Sequence, residues 1–384
     1  MSDSKQKTRQ NAYWEIAVQR AQRAHRSPLF HDVVRLHDLF TAERDERVSG
    51  YLREPGLRRA YVGYFAPLNA VKIAALLKVL ESEASLPAWR APRVLDLGAG
   101  PLSGIAGAWF RYGQLGTSHA IDIASRAMED GRSLLREAGA NADAVSVQVG
   151  SLAAPWKPPF AKADLVILAN VLNEVGDPRR DLEKRLDIVR RALSRVDTGG
   201  RLLIVEPGTR VHGRALSHLR DEILESEIGG VLAPCRGTMP CPLLRRKGDW
   251  CHHDLVYEPV ESVRKLERQA RLQKQFLKLS YLLVARKDDA QIVSKATASD
   301  SLRLIGGMMS ASDGQRRYAC GDSGMVVLES KGRRLPDKLY RKHRGELCEL
   351  RYPGVSVSPV TANSGARKHS RAKTRHSRKG GTKD

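Results

Sequence analysis

No run of this 384-residue chain reaches the ~20 consecutive apolar residues that a membrane helix needs, so the sequence reads as a soluble protein without a membrane partner. Residues 1–10 are polar and lack the apolar core of a secretory signal. Arg20, Arg23 and Arg26 could belong to a mitochondrial presequence, but Asp3 and Glu15 suit an ordinary basic helix better. With no sign of secretion, the five cysteines are expected in a reducing compartment, where structural disulfides are rare. Metal binding or buried thiols remain as their explanation. Acidic residues are in deficit: 65 Lys and Arg stand against 43 Asp and Glu, a formal charge of +22. Such an excess attracts polyanions, because neutralising phosphates releases condensed counterions. The basic tail, with Arg367, Lys368, Arg371, Lys373, Arg375, Arg378 and Lys379, cannot hold the whole surplus, since arginine recurs from Arg20 to Arg351. RNA or the ribosome, rather than DNA, is the expected partner. Solubility conferred by the charge is the plainer alternative.

The chain is long enough for two or three domains. Residues 1–90 read as a helical region, with 69–85 placing Val71, Ala74, Ala75, Leu76 and Val79 on one stripe. From Arg93 short apolar runs alternate with helical stretches: strands are expected over 93–97, 118–122, 145–149, 164–169 and 201–206, and helices over 124–138 and 180–195. That alternation predicts an α/β fold with a parallel sheet covered on both faces, occupying 91–230. Residues 231–290 are expected to hold a cysteine-rich metal-binding insert, a basic helix over 260–278 and a late sheet strand over 276–285. A small β-rich unit over 291–352 follows, and 353–384 read as a disordered basic tail.

The first sharp motif is the turn after the first strand, Asp96-Leu97-Gly98-Ala99-Gly100. Glycine at a strand end lets backbone approach a ligand closely. Asp96 would repel a pyrophosphate but can accept a hydrogen bond from an amino-acid ammonium, which suits a sulfonium nucleoside better than NAD. Asp122 ends the second strand, about 20 residues past the glycines, where an acidic group can accept both ribose hydroxyls. A stabilising charge at the start of the next helix is its alternative role. Ser151, after the third strand, could border the adenine. Asn170, after the fourth, lies where the sheet edge meets a ligand, or simply caps the strand. Asn173 and Glu174 could face a methyl acceptor or cap a turn. The sequence lacks an Asn-Pro-Pro-aromatic segment, and every cysteine follows the fifth strand, so no catalytic residue is assigned.

Cys235, Cys241 and Cys251 share one Pro- and Gly-rich loop, poor core material but good soft-metal ligands. The tight cysteine pairs of zinc ribbons are absent; His252 or His253 could still complete a Cys₃His zinc site. Iron–sulfur clusters accept wider spacing, and Cys241-Pro242 suits them. On chemistry alone both metals stay open.

Residues from about 60 to 206 resemble class I methyltransferases, which implies S-adenosylmethionine as cofactor held by Asp96, Gly98, Gly100, Asp122, Ser151 and Asn170. Leu102 stands where many of those enzymes have a third glycine, and its side chain is expected to narrow the pocket. From about 50 to 345, the order of glycine turn, DLVILANVLNE, IVEPGT, the cysteine loop, SYLLVAR and a downstream Cys-Gly is similar to the mitochondrial small-ribosomal-subunit methyltransferase-like proteins and their bacterial relatives. The resemblance implies a [4Fe–4S] cluster on Cys235, Cys241, Cys251 and Cys320, with Cys348 a bystander. It also implies association with the small ribosomal subunit, in the cytoplasm of a bacterium or the mitochondrion of a eukaryote. Three functions follow: an rRNA methyltransferase; a non-catalytic iron–sulfur assembly factor that keeps the methyltransferase fold; and, less compatible with the charge, a small-molecule methyltransferase with a zinc-stabilised insert.

Overall fold

The structure, a computed structural model, describes residues 3–41, 50–235, 237–272, 274–289, 301–332 and 334–360. Helix α1 (Asp3–Arg23) has an acidic first turn and Arg20 and Arg23 in its last, matching the helix dipole. It buries Tyr13, Trp14, Ala17, Val18 and Ala21, so this basic segment is part of the core. After α2 (Leu29–Thr41), a continuous helical rod runs from Pro55 to Ser82: α3 (Pro55–Ala60), a π turn (Tyr61–Phe65) and α4 (Ala66–Ser82). Pro67 has no N–H to donate one turn back, and the widened turn just before it accommodates its ring. The rod is long and apolar enough to cross a membrane, contrary to the expectation from uninterrupted apolar runs, but 78% of its most apolar window is buried inside the protein.

The main sheet contains β1 (Val94–Leu97), β2 (Ser118–Asp122), β3 (Val145–Val149), β4 (Ala163–Ala169), β5 (Val196–Pro207), β6 (Gly230–Ala233), β7 (His253–Val256) and β8 (Phe276–Ala285). Its order is β3-β2-β1-β4-β5-β8-β6, with β7 also paired to β8. Neighbours among β1 to β5 run parallel, while β8 is antiparallel to β5, β6 and β7. Side chains of β1 alternate: Val94 packs on one face with α1, α4, α5 (Ser103–Tyr112) and α6 (Ser125–Glu137). Leu95 and Leu97 pack on the other with α7 (Leu182–Leu193) and α8 (Arg210–Glu225). Strand order reverses between β1 and β4, which opens a crevice at their carboxyl ends.

Three expectations change. The main sheet does not end at the anticipated boundary at 230/231: after α8, β6 crosses that boundary to join the sheet. The basic helix is only α9 (Glu261–Gln269), because Phe276 onward is drawn into β8 by pairing with β7. Residues 353–384 are not all tail: β14 (Ser356–Pro359) pairs with β12 (Gly324–Lys331), and residues 361–384 lie outside the described residues.

The C-terminal sheet, ordered β13-β9-β11-β12-β14, also contains β9 (Ser301–Leu304), β10 (Met309–Ala311), β11 (Gly314–Gly321) and β13 (Leu347–Glu349). A short α10 (Asp337–Tyr340) closes its core of Leu304, Leu328, Leu335, Leu339 and Cys348. Arg303 ties this sheet to the rest. Its two terminal nitrogens each donate to a Glu83 carboxylate oxygen at 2.7 Å, and Nε donates to the Pro234 carbonyl at 3.2 Å. Both side chains are buried. Arg303→Met strands the Glu83 charge, which costs about 3–5 kcal/mol. The expected result is a melting temperature lower by roughly 5–10 °C in a thermal scan.

Candidate functional site

The crevice at the ends of β1 to β4 encloses a cavity of about 340 Å³. Asp96, Gly98, Gly100, Asp122, Ser151 and Asn170 all line it. The glycine turn is required sterically. Gly98 has φ +72°, and a Cβ there would lie 2.2 Å from Val171 Cγ2; a Cβ on Gly104 would lie 2.6 Å from the Asp96 carboxylate. Asp96 is buried and accepts the Ile105 N–H at 3.1 Å, in the first turn of α5. Burial, with the Asp122 charge adding to it, pushes the Asp96 carboxyl up to about 7 against the pull of the Ile105 and Gly104 N–H groups. Asp122 accepts the Gly100 N–H through Oδ2 at 2.8 Å and the Ala124 N–H through Oδ1 at 2.7 Å. The carboxylate therefore pins the glycine turn, a role beyond the two foreseen, and each oxygen keeps acceptor capacity for a ligand. Asn170 sits at φ +53° and donates its N–H to the Val205 carbonyl at 2.7 Å.

Leu102 corrects one expectation. It adopts φ +60°, a left-handed conformation that a glycine would take more readily, yet its side chain is fully buried among the α1, α4 and α5 contacts and does not line the cavity. Burial of the isobutyl group offsets the backbone strain and leaves the pocket open.

Sequence reasoning missed Ser103, Tyr51 and Tyr61. Ser103 is 7% exposed, borders the cavity, and its hydroxyl finds no hydrogen-bond partner among the described residues. Tyr51 and Tyr61 reach the cavity from the helical region. The available signal was the density of aromatics at Tyr51, Tyr61, Tyr64 and Phe65 in a chain with 5% aromatics. Of the two acceptor-side candidates, Glu174 lines this cavity, whereas Asn173 faces a separate small void with Arg185 and Glu206.

A second cavity of about 60 Å³ lies between α8, the cysteine loop and β11. Cys235, Cys241, Cys251 and Cys320 border it, although Cys320 is contributed by the C-terminal sheet. The loop is held from outside: Arg214 donates to the carbonyls of Leu243, Leu244, Arg246 and Asp249, Arg220 to those of Gly237 and Met239, and Asp221 accepts the Cys241 N–H at 2.9 Å. Burial first, then the neighbouring cysteines, pushes the Cys251 thiol far up and Cys320 to about 12. Cys348 is buried in the C-terminal core, away from this cavity. His252 stacks on Trp250, and His253 packs against Tyr281 with its Nε2 4.0 Å from the Cys251 sulfur; neither histidine borders the cavity. Among the described residues, no three His, Cys, Asp or Glu side chains are grouped closely enough to hold one metal ion.

Residues 58–305 match the family described as mitochondrial small ribosomal subunit Rsm22. The chain belongs to the Rsm22 family. The match includes the loop cysteines, Asp96 and Glu174, while Tyr51 and Cys320 of this Rsm22-family chain lie outside it. No curated protein matches the sequence. Solved structures with similar features include a ribosomal protein L11 methylase from Lactobacillus delbrueckii, 14% identical over 56% of this chain and 77% of its own, with a TM-score of 0.31. An O-methyltransferase family protein from Burkholderia thailandensis is 16% identical over 66% and 71%, with a TM-score of 0.34. Magnesium protoporphyrin IX methyltransferase from Synechocystis, with bound SAM, is 13% identical over 67% and 97%, with a TM-score of 0.33. At these values the likeness carries no argument about activity.

Proposed function

We propose that this Rsm22-family chain binds S-adenosylmethionine in the crevice of its main sheet and acts on the small ribosomal subunit as an rRNA methyltransferase. The observation that carries the reading is the convergence of Asp96, Asp122, the glycine turn and the partnerless Ser103 hydroxyl on one cavity. Those groups fit the ligand: Asp96 for the ammonium, Asp122 for the ribose hydroxyls, and the glycine turn with Ser103 for the amino-acid portion. Ile123, exposed at the rim, offers an apolar face for the base beside Ser151. The bound cofactor supplies an electrophilic methyl group. The charge of +22 supports an RNA-rich partner, and the family description supports the small subunit.

The four-cysteine cavity supports a [4Fe–4S] cluster on Cys235, Cys241, Cys251 and Cys320. All four cysteines are among the residues that line a space of about 60 Å³, more room than the ~10–15 Å³ one water occupies, whereas a single zinc draws its sulfurs to about 2.3 Å from one point. The guanidinium groups of Arg220 and Arg303 act on Cys235 and would offset the negative charge of a thiolate-bound cluster.

A second reading, a non-catalytic assembly factor that retains cofactor binding, is favoured by Asn173. Its amide faces the side void rather than the cofactor cavity, so the group best suited to hold an acceptor amine is turned away. The test is calorimetric titration of S-adenosylmethionine into anaerobically purified protein, with iron, sulfide and zinc analysis of the same sample. Methyl transfer to small-subunit particles is then assayed. The expected result is one cofactor and one four-iron cluster per chain. Zinc without iron would remove the cluster assignment, and cofactor binding without methyl transfer would select the second reading.

A further inference from the structure

Glu174 ends a single 3-10 turn (Leu172–Glu174) just beyond β4. That turn is anchored from below: Glu206 accepts the Leu172 N–H at 3.0 Å and the Asn173 N–H at 3.1 Å, and the Glu174 N–H donates to the Val171 carbonyl at 3.1 Å. Glu174 on this turn lines the cavity together with Tyr51 and Tyr61. The two tyrosine rings lie 5.6 Å apart, and Phe40 sits edge-on to both. Behind them, Asn69 Nδ2 donates to the Tyr61 hydroxyl at 3.3 Å, and Lys72 donates to Asn69 Oδ1 at 3.2 Å. The Tyr51 hydroxyl approaches both the Glu174 carboxyl and the Tyr61 hydroxyl.

The electrostatics of this wall are one-sided. Asp96, Asp122 and Glu174 all line the cavity, and none of them takes part in an ion pair among the described residues, in a chain otherwise rich in arginine. Arg53, an exposed side chain, is the one basic residue among the described residues that line the cavity. Glu174 is solvent-accessible where it lines the cavity, and a carboxylate facing another carboxylate beside two aromatic rings is relieved of like-charge repulsion when a cation arrives, which ring faces also attract. The partnerless, buried Ser103 hydroxyl is independent evidence that the cavity receives a polar ligand.

We propose that Glu174, framed by Tyr51 and Tyr61, reads the charge on the ligand sulfur, so that the protein holds the sulfonium form and releases the neutral thioether. The proposal rests on the reading that this cavity takes S-adenosylmethionine. When the methyl group passes to an acceptor nitrogen or oxygen, the S–CH₃ bond breaks and sulfur keeps its electron pair. The new bond forms from the acceptor's lone pair, and the acceptor's proton goes to solvent or a carboxylate. The sulfur charge falls from +1 to zero, while the ammonium, carboxylate and ribose are unchanged. Asp96 and Asp122 therefore serve both forms alike, and discrimination falls to the third carboxylate. Burial and the Asp122 charge push Glu174 up to about 7, which a neighbouring cation would reverse.

The experiment is calorimetric titration of the full chain, prepared anaerobically, with S-adenosylmethionine, S-adenosylhomocysteine and sinefungin, which carries an ammonium in place of the sulfonium. At pH 8 the wild type is expected to hold both cations about tenfold more tightly than the thioether. Glu174→Gln is expected to bring the three affinities within about twofold, with the thioether affinity unchanged and serving as the check on folding. Equal binding of thioether and cations by the wild type would overturn the proposal without touching the cofactor reading, as would an unchanged preference in Glu174→Gln. Binding of none of the three by the wild type would overturn the cofactor reading and this one with it.

Discussion

Asp96→Asn is expected to weaken S-adenosylmethionine binding by about 100-fold while leaving the ligand-free protein at least as stable as the wild type. The loss follows from removing a charge-assisted hydrogen bond to a buried ammonium, which is worth roughly 1.5–3 kcal/mol. The stability follows from the opposite balance in the empty cavity. Asp96 is almost fully buried, no cation pairs with it among the described residues, and its carboxyl stands near 7 because ionising it there is costly. The amide oxygen can still accept the Ile105 N–H, so the turn into α5 is preserved. A variant that melted well below the wild type would show instead that the carboxylate is structural. The same groups set a pH dependence with two signs. Asp96 and Glu174 are raised to about 7 in the folded chain, so their contribution to stability is full below the unfolded carboxyl range and is lost as pH rises through 7. Cation affinity runs the other way, because protonated carboxyls must ionise to receive it. It is expected to fall by up to about tenfold per pH unit for each carboxyl as pH drops below 7. Titrations at pH 6, 7 and 8 with parallel melts of the ligand-free protein test both signs, and a pH-independent affinity would contradict the assignment.

Cys320→Ser is expected to remove most of the iron and sulfide from anaerobically prepared protein, and with them the broad visible absorbance. The three loop cysteines come from one stretch of chain, but Cys320 arrives on β11, so a centre bound by all four cross-links the main sheet to the C-terminal sheet. Binding free energy of such a centre is also folding free energy. Its loss is expected to lower the melting temperature by roughly 5–10 °C. Cys348→Ser, by contrast, should leave the iron content unchanged, since Cys348 packs with Leu302 and Leu304 in the C-terminal core. Affinity for S-adenosylmethionine is expected to stay within about twofold in both variants, because the two cavities share no lining residue. Retention of iron by Cys320→Ser would exclude it as a ligand.

The sequence by itself determined the parts whose cause is local. Strand periodicity from Val94 to Val205 marked β1 to β5, and the glycine turn with Asp96 and Asp122 marked the crevice, because a parallel strand ending at a tight turn needs those residue types in that order. The cysteine loop was legible from its composition. Only the tertiary structure decided where Leu102 points, since a side chain in the left-handed region can turn toward a ligand or toward a core, and the core that the sheet shares with α1, α4, α5 and α6 takes it. It also decided that α9 stops at Gln269, because pairing with β7 outweighs the helical pattern beyond it. Tyr51 and Glu174 are a hundred or more positions apart, as are Cys320 and Arg220, and no local pattern records that they meet. Their convergence is set by how helices and sheets pack, through burial and charge across elements.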